Sequence, residues 1–131
     1  MAHEAAAGSD PAAASPDAPA VLVVGGGWRE PLGAVGGAVC RRFAASGAHV
    51  FICDIDADAA AATAAFIAKE GGVSTVIQGD ASTMTGARAI VETALAGYAR
   101  IDTLVNIIGL ASPGGVLDAD LGEGILVWPS G

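Results

Sequence analysis

The feature of the sequence that most constrains the fold is an apolar run at residues 21–24, Val-Leu-Val-Val, which ends directly in three glycines. Because apolar and polar residues do not alternate in this run, it predicts a strand buried on both faces, as in a parallel sheet that helices cover. A helix is expected from about residue 33 to residue 46, where Val35, Val39 and Phe43 recur every fourth residue and predict its inner face. Gly47 follows, in the position where a left-handed residue commonly ends a helix.

The same alternation of strand and helix continues along the chain. Further strands are predicted at residues 49–53, 73–78 and 101–108, separated by two more helices. The resulting order, β-α-β-α-β-α-β, predicts right-handed crossovers and therefore an α/β fold: a partial Rossmann-type, doubly wound parallel sheet of about four strands. If the fourth strand returns beside the first, the spatial order is 3-2-1-4, and a ligand crevice opens at the carboxyl ends of those two strands. Each of the two later helices has two candidate caps, which are Asp56 or Asp58 and Ser82 or Thr83.

The two ends of the chain differ in composition from this middle region. Residues 1–20 are rich in Ala and Pro and contain no Lys or Arg, so they match neither a secretory signal nor a mitochondrial transit peptide. We expect a disordered tail outside the fold at residues 1–20, a half-domain at residues 21–110 and an irregular segment at residues 111–131. Cys40 and Cys53 lack metal-ligand spacing and stand among apolar residues, which favours buried thiols in a cytoplasmic protein.

The charge of the chain narrows the range of partners. It has 14 acidic and 6 basic residues and a formal net charge of −8. Such a balance repels phosphate backbones and anionic lipid, so it argues against nucleic-acid and membrane partners. Backbone amides would therefore have to do most of the work of holding a bound phosphate. His3 and His49 have no partner at metal-ligand or nucleophile spacing, and no metal site is predicted.

Glycines crowd the connection between the first strand and the first helix, which we call the glycine loop (residues 25–34). Gly25, Gly27 and Gly33, with Gly36 in the helix, would let the backbone approach a dinucleotide pyrophosphate closely, with the positive end of the helix directed at it. A chain with 19 glycines also places several in a loop by chance, so this loop alone leaves both interpretations open.

Asp54 stands at the end of the second predicted strand. There an acidic side chain can accept hydrogen bonds from the adenosine ribose hydroxyls and would repel a 2′-phosphate, which favours NAD over NADP as the cofactor. Alternatively, Asp54 is a strand-end or helix-capping acid. Arg29, in the glycine loop, either weakens the preference for NAD or is an exposed loop charge.

The first part of this pattern resembles the opening of the short-chain dehydrogenase/reductase family. In the family's glycine motif, T-G-x-x-x-G-x-G, Gly36 fits the last glycine. Gly25 stands where the family usually has Thr, and Ala34 replaces the middle glycine unless Gly33 takes its part. A few additional residues, 28–32, separate these glycines from the first ones.

Two later motifs are also similar to that family, and the resemblance covers about residues 21–120. Residues 79–81, Gly-Asp-Ala, look like the family's Asp motif, which implies that Asp80 and Ala81 lie against the adenine. Residues 102–109 are similar to its D-x-L-V-N-N-A-G segment, in which Asn106 and Gly109 match. The resemblance implies an NAD(P)-dependent oxidoreductase that transfers a hydride between the nicotinamide and an alcohol or carbonyl substrate.

The catalytic residues of that family have no counterpart that the sequence identifies. The family uses a Tyr as acid and base, a Lys four residues later and a Ser that orients the substrate. The single tyrosine here is Tyr98, and Asp102 stands four residues after it. Tyr98 shares the apolar face of the third helix with other core candidates, which predicts core packing for it. Those candidates are Ala87, Ile90, Val91 and Ala94.

We therefore expect the chain to be the cofactor-binding portion of such an oxidoreductase, truncated and inactive alone. The alternative is a non-catalytic nucleotide-binding or regulatory module that acts with a partner chain, and a third possibility is a relic that does not fold stably. An uncovered edge at the fourth strand predicts self-association.

Overall fold

The structure, a computed structural model, describes residues 5–8, 15, 17–29 and 35–108. Within those ranges the structure has one strand that was not predicted, at Ala5–Gly8, and after it strands and helices alternate as predicted. Their bounds are β1 (Ala5–Gly8), β2 (Ala20–Val24), α1 (Val35–Ala45), β3 (His49–Asp54), α2 (Ala57–Lys69), β4 (Val73–Gln78), α3 (Met84–Tyr98) and β5 (Thr103–Asn106). The last strand is shorter than the predicted range of 101–108.

The strands form one sheet in the order β1-β4-β3-β2-β5. Four of them, β4, β3, β2 and β5, are parallel, and Val24 at the end of β2 pairs with Cys53 on one side and with Asn106 on the other. This arrangement confirms the Rossmann-type fold and the predicted order 3-2-1-4 of the parallel strands. It also brings the carboxyl ends of β2 and β5 together, where the crevice was expected.

The structure differs from the expectation that residues 1–20 lie outside the fold. Ala5–Gly8 form β1, which pairs antiparallel with β4 through Ala5 opposite Ile77 and Gly8 opposite Thr75. The prediction counted only side chains that could enter a core, whereas an open sheet edge offers backbone N–H and C=O groups that any extended segment can bind. Ala18, which falls in the same range, is buried.

The core consists of two layers, one on each face of the sheet. Side chains alternate between the faces along each strand, so Val21 and Val23 of β2 enter one layer and Leu22 enters the other. The first layer is closed by α1 and α2, the second by α3. Burial on both faces of β2 and β3 confirms the interpretation of their unbroken apolar runs.

The face that α1 turns toward the sheet is not the predicted one. Val35 is 72% exposed, whereas Gly36, Cys40 and Ala44 are buried, together with Gly37. A Cβ atom at Gly36 would lie 1.8 Å from the carbonyl oxygen of Gly25, so the helix packs too close for larger side chains. Close approach therefore selects small residues here, and Val39 and Phe43 pack only partly against the core.

The structure distinguishes between the candidate helix caps. Asp56 caps α2 by accepting hydrogen bonds from the amides of Asp58, at 3.0 Å, and Ala59, at 3.2 Å. Thr83 caps α3 by accepting from the amide of Gly86. Gly47, after α1, has a φ of +96°, as predicted.

Two types of feature are absent from the described part of the chain. None of its helices has the length and apolar character needed to cross a membrane. None of its His, Cys, Asp and Glu side chains form a group of three that could hold a metal ion.

Candidate functional site

The glycine loop begins with a tight turn at the end of β2. Gly25 has a φ of +90°, and the amides of Gly25 and Gly26 both donate to the carbonyl oxygen of Cys53, at 2.8 and 3.0 Å. A Cβ at Gly25 would lie 3.1 Å from Cγ2 of Ile108 and 3.3 Å from Cβ of Ile107. Both the backbone conformation and the space therefore favour glycine at this position.

The first turn of α1 lies directly on this turn. The carbonyl of Gly25 is close enough to Gly36 to exclude any side chain there, so the N-terminal region of the helix meets the backbone of the loop. Exposed N–H groups at a helix start carry positive partial charge and bind anions. Gly33, the third glycine of the predicted cradle, is outside the described residues.

Gly27, another residue of the predicted cofactor site, lies against the end of β3. Its amide donates to Oδ2 of Asp54 at 2.9 Å, and a Cβ at Gly27 would lie 2.6 Å from that oxygen and 2.7 Å from Cβ of Ala59. The loop therefore folds down over the junction between β3 and α2. Gly27 allows this contact with Asp54.

Asp54 is the most heavily engaged carboxylate of the site. Its side chain is only 4% exposed, and Oδ1 accepts from the amide of Asp56 at 3.0 Å and from the guanidinium of Arg29. The hydrogen bond to Asp54 raises the pKa of Arg29, against a smaller opposing effect of burial. Asp54 is thus not the cap of α2, and Arg29 is paired with it.

The described end of the glycine loop is anchored on α2. The amide of Trp28 donates to the carbonyl of Ala59 at 2.9 Å, and the indole ring packs on Phe66 with the ring centroids 5.0 Å apart. The Arg41 guanidinium lies over both rings, 4.7 Å from the Phe66 centroid, and its Nε donates to Glu70.

Two buried side chains hold the carbonyl of Gly26 from below. Thr63 donates its hydroxyl to this oxygen at 2.7 Å, and Sγ of Cys40 lies 3.9 Å from it. Burial raises the pKa of Cys40 and of Cys53 to about 12, so both thiols stay neutral, and both cysteines are free and buried, as predicted. Thr63 was missed by the sequence analysis, although a single hydroxyl within an alanine-rich helix was a usable signal.

Asp80 and Ala81 follow β4 at the same edge of the sheet as Asp54. The carboxylate of Asp80 accepts from the amide and the hydroxyl of Ser82, at 3.0 and 2.6 Å, and these bonds lower the pKa of Asp80. The carbonyl of Asp80 would lie 1.8 Å from a Cβ at Gly86, so α3 starts directly against this turn. Ala81 packs against the core layer under α3.

The end of β5 completes the carboxyl edge of the sheet. Asn106 pairs with Val24, and the amide of Ile107 donates to the carbonyl of Val24 at 2.8 Å. Asn106 and Gly25 are therefore close neighbours, as the predicted crevice requires. Gly109, the other candidate in this segment, is outside the described residues.

The structure thus brings most of the predicted site residues to one edge. They are Gly25, Gly27, Gly36, Asp54 and Asn106 around the end of β2, with Asp80 and Ala81 at the end of β4. The amides of residues 25–28 in the loop are already donated within the protein, so a phosphate would depend on the amides in the first turn of α1. The carboxylates at this edge are Asp54 and Asp80, and a carboxylate can accept hydrogen bonds from sugar hydroxyls.

Comparison with known proteins gives consistent matches. The family model for short chain dehydrogenases matches residues 20–125. The uncharacterized oxidoreductase YuxG of Bacillus subtilis (strain 168) is 34% identical over 93 residues, which are 70% of this chain and 13% of that protein.

Solved structures match over most of this chain. A short-chain dehydrogenase/reductase from Burkholderia xenovorans is 32% identical, with a TM-score of 0.73, over 83% of this chain and 43% of that one. The short-chain dehydrogenase/reductase from Serratia marcescens BCRC 10948 is 25% identical, with a TM-score of 0.68, over 85% and 44%. The chain thus spans less than half the length of these proteins.

Proposed function

The chain belongs to the short-chain dehydrogenase family, an oxidoreductase family, and from that premise we propose that residues 21–110 bind the dinucleotide cofactor at the carboxyl edge of the sheet. The observation that carries the proposal is the contact between α1 and the glycine loop, where no side chain fits at Gly36. Such a contact leaves backbone amides at the helix start within reach of a pyrophosphate. Backbone amides can bind an anion without basic side chains, which are few in this acidic chain.

We propose NAD as the preferred cofactor. Asp54, at the end of β3, is the residue that would accept hydrogen bonds from the adenosine ribose hydroxyls, and its carboxylate would repel a 2′-phosphate. Asp80 and Ala81 are proposed to lie against the adenine, while Asn106 and Gly109 would contact the cofactor beyond the pyrophosphate. Bound NAD would supply the hydride acceptor, and the residues of this chain would hold and orient it.

The part of the chain described by the structure supports binding better than catalysis. Tyr98 donates its hydroxyl to the carbonyls of Ala18, at 2.7 Å, and Ser15, at 3.0 Å, and packs against the ring of His49. His49 begins β3, so Tyr98 is at the end of the sheet opposite to Asp54. Asp102, four residues later, accepts from the amide of Ala20 and from Arg100. Both residues hold the entry to β2, so we propose no catalytic role for either.

The distance between Tyr98 and the proposed cofactor site favours a second candidate function. Besides the cofactor-binding portion of a dehydrogenase, the second candidate is a nucleotide-binding module that acts with a partner chain. Both candidates require the same cofactor site. We also propose a cytoplasmic location, since Cys40 and Cys53 are free thiols.

The proposal is tested by titrating the chain with NADH and following the nicotinamide fluorescence. We expect saturable binding that the substitution Gly36→Ala weakens by about tenfold or more, because the added Cβ would push the start of α1 away from Gly25. The pyrophosphate would then lose hydrogen bonds to the helix amides, and a hydrogen bond to a charged group contributes about 1.5–3 kcal/mol. Gly97→Ala is the matched control, since its Cβ would meet Phe51 at an ordinary 3.8 Å. Circular dichroism verifies that each variant keeps its fold. Absence of saturation up to millimolar NADH, or equal binding by the Gly36→Ala variant, would contradict the proposal.

A further inference from the structure

The carboxylate proposed to receive the ribose is already occupied by the chain itself. Its Oδ2 accepts from the amide of Gly27, and its Oδ1 accepts from the amide of Asp56 and from Arg29. A carboxylate has two oxygens with about four lone-pair positions, and two ribose hydroxyls would need two of them. Because the side chain of Asp54 is almost fully buried, little of it remains open to a ligand.

Two of the three donors are held in place by the fold. The amide of Gly27 belongs to a loop fixed on both sides, by Thr63 at Gly26 and by the amide of Trp28 at Ala59. The amide of Asp56 belongs to the cap of α2. Neither can leave Asp54 without moving the backbone.

The third donor belongs to a partly exposed side chain. The side chain of Arg29 is 46% exposed, and besides Asp54 it approaches Asp56, with Nε 3.8 Å from Oδ2. A guanidinium that leaves this position is hydrated at once, so its release costs far less than a backbone movement. Asp54 is buried, but the guanidinium of Arg29 is almost half exposed, so salt screens this ion pair more than it would screen a fully buried pair.

We propose that Arg29 is an internal competitor for the adenosine ribose and that its guanidinium must leave Asp54 before the dinucleotide binds there. This inference rests on the proposed function, since it concerns the same site. If the chain binds only after Arg29 has left, the measured affinity is the intrinsic affinity reduced by the fraction of molecules in the open state. Arg29 then sets how much cofactor is needed to occupy the site.

The test compares NADH affinity in the full 131-residue chain and its variants at low ionic strength. Isothermal titration calorimetry is the readout, because the fluorescence of Trp28, next to the substituted residue, would respond to the substitution itself. We expect Arg29→Gln and Arg29→Met to bind NADH about threefold to tenfold more tightly than the unchanged chain. Arg42→Gln is the matched control, since Arg42 is an exposed arginine of α1 and its replacement makes the same change in charge. The ratio of the NADH affinity of Arg29→Gln to that of the unchanged chain should fall toward one as the salt concentration is raised.

The outcomes separate this inference from the proposed function. Equal or weaker NADH binding by both Arg29 variants, with the unchanged chain still binding, overturns the role of Arg29 and leaves the cofactor site standing. A loss of NADPH affinity in Arg29→Gln without a gain for NADH also overturns it, because Arg29 would then be a ligand of the 2′-phosphate. If no form of the chain binds NADH, the proposed function fails as well.

Discussion

His49 combines complete burial with only partial hydrogen bonding. Its ring is stacked on Phe51, with centroids 4.6 Å apart, and contacts Tyr98, while Nε2 is 2.9 Å from the hydroxyl oxygen of Thr75. Among the residues that the structure describes, none forms a hydrogen bond with Nδ1. Burial lowers the pKa of this imidazole, because a charged ring in an apolar layer loses its hydration.

We predict that acid destabilises the fold through His49. In the unfolded chain the imidazole takes up a proton near its ordinary pKa of 6.5, whereas in the folded chain it does so only at lower pH. The stabilising contribution of the neutral ring is therefore complete above the unfolded-state pKa of 6.5. It is lost as the pH falls from 6.5 toward the lower pKa of the folded chain.

The free energy of unfolding, measured in urea between pH 7 and pH 5.5, should decrease in the unchanged chain. It should decrease less in a His49→Gln variant. His3→Gln, which replaces the other histidine, is the control and should keep the full pH dependence. An identical slope in the His49→Gln variant would show that another group is responsible.

At the scale of single residues, the position of Asp54 could be predicted from the sequence, but its contacts could not. An acid after a buried strand follows from the local pattern. That Gly27 and Arg29 both reach this acid depends on how the glycine loop folds back over α2, and residue spacing contains no information about that path. The one available signal was the presence of Arg29 as a lone cation in a loop beside an acidic strand end.

Among the elements, α3 depends on its N-terminal cap. Thr83 accepts from the amide of Gly86 at 3.0 Å, and the backbone carbonyl of Thr83 accepts from Ala87. The helix has no acidic residue in its first turn and no basic residue in its last turn to interact favourably with its dipole. The hydroxyl of Thr83 is therefore the side-chain acceptor that the structure places on an amide of the first turn of α3.

Replacing Thr83 by Ala should lower the free energy of unfolding by about 1 kcal/mol, because an amide at the helix start loses its partner. Thr85→Ala is the matched control: it removes the same hydroxyl and methyl from an exposed position two residues later, and we expect it to be neutral or slightly stabilising. Chemical denaturation followed by circular dichroism measures both. Equal losses in the two variants would contradict a capping role for Thr83.

At the scale of elements, most bounds were predictable because their signals are local. Unbroken apolar runs predicted β2 and β3, and glycines or capping acids predicted where the helices begin and end. The inner face of α1 was not predictable from apolar spacing, since the closeness of Gly25 and Gly36 selects small residues instead of valines. β1 was missed for a related reason: its pairing uses the backbone, which composition does not describe.

At the scale of the whole molecule, large apolar side chains are exposed at β5 and on the neighbouring α3. Leu104 pairs with Leu22 in the parallel register and so faces the side of the sheet that α3 covers, yet it is 62% exposed. Val91 and Leu95 of α3 are also partly exposed, although Val91 was predicted to share the buried face of Ile90. Exposed apolar side chains of this size favour association.

We therefore propose that the isolated chain self-associates through the face that carries Leu104. Sedimentation velocity over a range of protein concentrations should show species larger than the monomer, and Leu104→Glu should shift the distribution toward the monomer. Thr103→Glu is the control, because Thr103 is exposed on the same strand but points to the other face. A monomeric unchanged chain at high concentration would contradict this proposal.

The position of Cys40 has a practical consequence for the glycine loop. Its sulfur lies beneath the carbonyl of Gly26, and a Cβ at Gly26 would come within 2.9 Å of that sulfur. An alkylating reagent can reach the thiol only when this part of the fold opens, and the raised pKa keeps the sulfur in its unreactive form until then. In a chain whose other cysteine is replaced, the rate of alkylation at Cys40 thus reports the equilibrium for local opening at this turn. A cofactor seated on the loop would slow that reaction, which makes the thiol an intrinsic label for occupancy.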